Sequence, residues 1–80
     1  MIILQKGDEM FDEIKNRFTY HSPFGDQAQR YEDIRRNGYT LAGFLVASCP
    51  ESRELSLALT KLEEAIMWAN AAIARNETKE

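Results

Sequence analysis

The chain has 80 residues, a net charge of −3 and an isoelectric point near 5.1. That length makes one domain, which buries only about 60% of the surface its unfolded form exposes. The acidic balance excludes a non-specific nucleic-acid coat, which needs a broad basic field, but it allows a compact phosphate ligand gripped by a few arginines.

Residues 1–18 form the first unit. The opening Met1-Ile2-Ile3-Leu4-Gln5-Lys6 is too short in apolar residues for a signal peptide, and no run approaches the roughly 20 residues of a membrane span. Gly7-Asp8-Glu9 reads as a helix start with Asp8 as cap. Met10, Phe11 and Ile14 then give a short apolar stripe. Thr19 to Gly25 is a connection, marked by Ser22-Pro23 and Phe24-Gly25.

Residues 19–80 carry a helical hairpin. Its first helix is predicted over about 27–48, with Asp26 as cap. Tyr31, Ile34, Gly38, Leu41, Leu45 and Ser48 recur at steps of 3, 4, 3, 4 and 3. Gly38 either allows close helix packing or leaves room beside a ligand. Cys49-Pro50-Glu51 breaks the helix, and Ser52 or Cys49 caps the next one. The second helix is predicted over about 52–76, where Leu55, Leu59, Leu62, Ile66, Ala69, Ile73 and Asn76 step by 4, 3, 4, 3, 4 and 3. Two long helices on so short a link lie antiparallel. The fold class is therefore all-α.

A small domain usually needs disulfides, a metal or partners. Cys49 is the only cysteine and His21 the only histidine, so intrachain disulfides are excluded and a metal site is not expected. Ala65 to Ala74 is uncharged and covers every direction around its helix. Met67, Trp68, Ala71 and Ala72 need cover that one partner helix cannot supply. The expectation is a compact homo-oligomer; the other source of cover is the N-terminal segment folding back.

No convergent set of nucleophile, acid and base is legible, so no catalytic residue is assigned. Glu51, Glu54, Glu63 and Glu64 suggest the carboxylates of an all-helical, magnesium-dependent nucleotide hydrolase, but Asp33 on the partner helix has no carboxylate four residues away. The cations are more informative. Arg35 follows Ile34 and borders the packed stripe. Arg53 and Thr60 are seven residues apart, two turns along one helix face, and either present a guanidinium and a hydroxyl to one ligand or are a solvated arginine and a threonine that bonds its own backbone. Tyr20, in Arg17-Phe18-Thr19-Tyr20-His21, either stacks on a nucleobase or fills the edge of the core.

That run, with Arg30-Tyr31-Glu32-Asp33-Ile34-Arg35, Cys49-Pro50-Glu51-Ser52-Arg53-Glu54 and Ala58 through Arg75, resembles the helical-hairpin domain shared by phage anti-CBASS and anti-Thoeris sponge proteins. The resemblance covers about 17–76. It implies a non-enzyme without cofactors that holds cyclic nucleotide immune signals away from host effectors. It further implies a homohexamer in the host cytoplasm, with cyclic dinucleotides between subunits and cyclic trinucleotides near three-fold axes. Ending at Glu80, the chain looks like the stand-alone anti-CBASS type. On this resemblance Tyr20 and Arg35 are dinucleotide residues, Arg35 standing where some members have lysine, and Arg53 and Thr60 are trinucleotide residues. No DNA or RNA polymer and no membrane is expected as partner. The alternative is a helical protein–protein interaction oligomer without a nucleotide pocket.

Overall fold

The computed structural model describes the backbone of residues 2–78 and side chains over 9–78. Three helices follow in order: α1 (Ile2–Phe18), α2 (Gln27–Ser48) and α3 (Arg53–Asn76), with no strand among the described residues. α2 and α3 form the hairpin. Among the described residues, α1 meets it at its C-terminal end, where Asn16 Nδ2 donates to the Arg75 carbonyl at 3.3 Å.

α1 starts earlier than its sequence suggests. It runs through Gly7 and Asp8, so Asp8 lies inside the helix and does not cap it. Asp26 does occupy the N-cap position of α2, but its side chain makes no capping hydrogen bond. Its carboxylate instead takes Arg30 Nε at 3.1 Å. The side chain that closes this end is Gln27, whose Oε1 accepts the Phe24 N–H at 3.1 Å. Gly25 sits at φ +58°, a left-handed conformation that favours glycine, and this lets the chain turn into α2. At the other end of the hairpin Ser52 caps α3: its Oγ accepts the Leu55 N–H at 3.1 Å.

The seam follows the apolar stripes. Leu55, Leu59, Leu62, Ile66, Ala69 and Ile73 of α3 are half-buried, as are Tyr31, Ile34, Ala42 and Leu45 of α2. Leu41 departs from the expected stripe and is 45% exposed; Ala42 takes its place on the seam. Gly38 is buried against α3, which supports its packing role: a Cβ there would lie 2.8 Å from Ile66.

The hairpin has no hydrophobic interior of its own. No apolar side chain among the described residues is fully buried, and the chain spans 56 × 32 × 14 Å. Met67 and Trp68 are 62% and 60% exposed, so α1 does not fold back to cover them. Met10, Phe11, Ile14 and Phe18 of α1 are themselves exposed.

Candidate functional site

The open end of the hairpin brings all three helices together. The end of α1 supplies Arg17, and the linker after it supplies Thr19, Tyr20, His21 and Pro23. α2 adds Tyr31 and Arg35, and the last two turns of α3 add Asn70, Ala71, Ala74 and Arg75. Together they line a cleft of about 410 Å³ with three guanidinium groups and no carboxylate in its walls.

The N-terminus of α2 brings partial positive charge to this end, and arginine side chains supply the rest. α1 and α3 both point their C-terminal ends here, and those ends carry partial negative charge. Arg17 and Arg75 stand in the last turns of those two helices, where they offset it. Arg17 Nε bonds Glu13 Oε2 at 2.9 Å along its own helix. Arg75 places its guanidinium 6.0 Å from the centre of the Trp68 ring, within cation–π range. Arg35 makes no ion pair among the described residues, so its fork is available to an anion.

Tyr20 stands 82% exposed at the cleft with its ring faces open to a planar ligand. His21 is fixed beside it, with Nε2 2.9 Å from the Asn16 carbonyl. Tyr31 Oη and Asn70 Oδ1 are shielded from solvent and have no hydrogen-bond partner among the described residues. The two residues line the cleft from α2 and α3, so it holds unspent hydrogen-bonding capacity next to its arginines.

The structure thus joins Tyr20 and Arg35, two of the four residues proposed from sequence. The other two lie elsewhere. Arg53 and Thr60 are exposed on the first two turns of α3 and do not line this cleft. Sequence reasoning missed Arg17, Tyr31, Asn70 and Arg75 as site residues. Asn70 left one signal, as the single polar residue in the uncharged run from Ala65 to Ala74.

A second groove of about 770 Å³ runs along the seam beside Gly38, Leu59, Leu62 and Met67. It is larger, but its walls are mainly apolar and include the Glu63 carboxylate, so it is less suited to an anion. Arg35 and Asn70 belong to both clefts and mark their border. Among the described residues no three His, Cys, Asp or Glu side chains gather as a metal site would require.

The model of the Acb2/Tad1 hairpin domain matches residues 10–74. The chain belongs to the Acb2/Tad1 hairpin family. The match starts within α1, earlier than the resemblance read from Arg17 onward, and takes in the whole of α2 and most of α3. No curated protein and no solved structure matches the chain significantly. Acb2/Tad1 hairpins are phage proteins that sequester cyclic nucleotides without transforming them and so act against CBASS signalling. This removes the hydrolase reading of Glu51, Glu54, Glu63 and Glu64. Members bind cyclic oligonucleotides and associate into oligomers. The arginine-lined cleft of this Acb2/Tad1 hairpin has the charge and the aromatic surface that such ligands require.

Proposed function

We propose that the cleft between Tyr20, Arg35, Arg17 and Arg75 captures a cyclic dinucleotide. The observation that carries this reading is the convergence of three guanidiniums and an exposed tyrosine on one wall-to-wall site free of carboxylates. The guanidiniums meet the two phosphates, Tyr20 stacks on a base, and Asn70 and Tyr31 offer polar groups to a base edge. An open cleft on one chain encloses a ligand only when a second chain closes it, and the exposed Met67 and Trp68 supply the reason for chains to associate. We assign the assembly as a homohexamer.

Arg53 and Thr60 form the second element of the proposal. They are exposed on one face of α3, so copies meeting there pool several guanidiniums and hydroxyls around a cyclic trinucleotide. The hairpin acts in the host cytoplasm, where such signals are made; no helix among the described residues is long and apolar enough to cross a membrane.

Calorimetric titration with a panel of cyclic di- and trinucleotides, paired with native mass spectrometry, tests this reading. The expected result is tight, stoichiometric binding, with ligand recovered intact after the protein is denatured. Recovery of linear product would overturn non-catalytic capture. Absence of binding by every member of the panel would favour an oligomer that engages only protein partners.

A further inference from the structure

The polar contacts that join distant parts of this chain are concentrated at one end. Among the described residues, the side-chain hydrogen bonds spanning 47 to 59 positions run from Asn16 to Arg75, from Gln27 to Glu77 and, twice, from Arg30 to Glu77. All of them surround the linker that carries Tyr20 and His21. Glu77 lies just past α3, at its C-cap position. Its Oε1 accepts Arg30 Nη2 at 2.6 Å and Gln27 Nε2 at 3.0 Å, and its Oε2 accepts Arg30 Nη1 at 2.8 Å. Gln27 is only 2% exposed, and its own Oε1 accepts the Phe24 backbone N–H.

The bonds therefore run without a gap from the end of α3, through a buried amide, into the linker backbone. At the linker's other side His21 bonds the Asn16 carbonyl, and Asn16 bonds the carbonyl of Arg75. The last turn of α3 holds the linker at both ends, and that turn also carries Arg75. A bidentate guanidinium–carboxylate pair fixes direction as well as distance. This one is more than a third exposed, so as an ion pair it adds little to stability. Geometry is its larger effect.

We propose that Glu77 is a positioning residue for ligand capture: through Gln27 and Arg30 it holds the linker and the last turn of α3 so that Tyr20 and Arg75 face one cleft. Glu77 does not itself line that cleft; it lines the adjoining one of about 450 Å³, which shares Tyr20, His21 and Arg75. The proposal rests on the cleft being the capture site. A binding wall held in place before the ligand arrives lowers the ordering cost of capture.

Titration of the full chain with cyclic di-AMP, cyclic di-GMP and the mixed cyclic GMP–AMP tests this. Glu77→Gln keeps the shape and removes the charge; it weakens the tightest of the three by about tenfold, and Arg30→Met does the same. The double variant binds no more weakly than either single one, because both changes disable one device. Amide exchange quickens over residues 19–27 while the α2–α3 seam keeps its protection. A merely structural role would raise exchange along both helices and lower the melting temperature in step with affinity. Unchanged affinity in Glu77→Gln, with Tyr20→Ala impaired, overturns this proposal and leaves the capture site standing. If the unaltered chain takes up none of the three ligands, both fall.

Discussion

Gly38 lies directly against Ile66: a methyl group on residue 38 would come within 2.8 Å of both Cγ1 and Cδ1 of that isoleucine. Cδ1 is a chain end and can swing aside, but Cγ1 moves only if the stiff χ1 of a helical isoleucine turns or the helices part. Gly38→Ala gains roughly 1 kcal/mol of helix propensity and incurs an overpacking cost of about 1–3 kcal/mol. The expected outcome is a net loss of stability of about 1 kcal/mol in urea denaturation. A variant as stable as the parent would show that the seam yields more easily than its geometry implies.

Tyr20→Ala should weaken dinucleotide binding by about tenfold to a hundredfold, the range of one base–aromatic stack. Its melting temperature should barely change, because the ring is exposed. Arg35→Lys separates charge from shape. It keeps the cation and loses the fork, so a phosphate gripped by two nitrogens is held less tightly and one met by charge alone is not. Calorimetry on the two variants reads both effects.

Met67→Glu tests the assembly. The side chain is exposed in the single chain, so a carboxylate there breaks no contact within the hairpin. Between chains the same carboxylate is desolvated without a partner. Native mass spectrometry should record smaller species, and an oligomer of unaltered size would place the interface elsewhere.

The Arg30–Glu77 pair predicts a weakening in acid. Hydrogen bonds from Arg30 and then Gln27 hold the Glu77 carboxyl at about 2, below its ordinary 4.5, while the guanidinium of Arg30 is raised. The folded chain thus binds this proton less readily than the unfolded chain. The contribution is complete above about pH 4.5 and declines as pH falls, until it is lost near pH 2. The exposure of the pair keeps the effect small. Comparing acid denaturation of the parent with Glu77→Gln checks it: the variant's profile should be flatter across that interval.

Ser52→Ala removes the hydroxyl that accepts the Leu55 N–H, and should cost about 1 kcal/mol in thermal denaturation. Cys49→Ala is the matched control, because Cys49 is exposed and gives α3 no capping bond.

The hairpin was legible because local signals agreed with one another. The stripe from Leu55 to Ile73, the break at Pro50 and the cap at Ser52 all point to the same two helices. α1 misled for a local reason: Gly7 and Asp8 are poor helix-interior residues, yet the helix passes through both. Tyr20 and Arg35 were singled out with help from family resemblance, and spacing alone would not have joined them. Asn70 and Arg75 stayed hidden because they meet Tyr20 only when the far end of α3 returns to the end of α1, whereas Arg17 stands three residues from Tyr20 in sequence. No local pattern encodes the bond between Gln27 and Glu77 across 50 positions, and that bond helps shape the site.

A slab 14 Å thick is a single layer of helices, so dilution should act on it much as a denaturant does. With no apolar side chain among the described residues fully sheltered within one copy, each copy should gain stability as more copies are nearby. Melting should shift upward as protein is concentrated, and a captured ligand should push it the same way by mass action. Supply of the chain then governs its readiness twice over, through the number of sites and through the fraction of copies ordered enough to offer one.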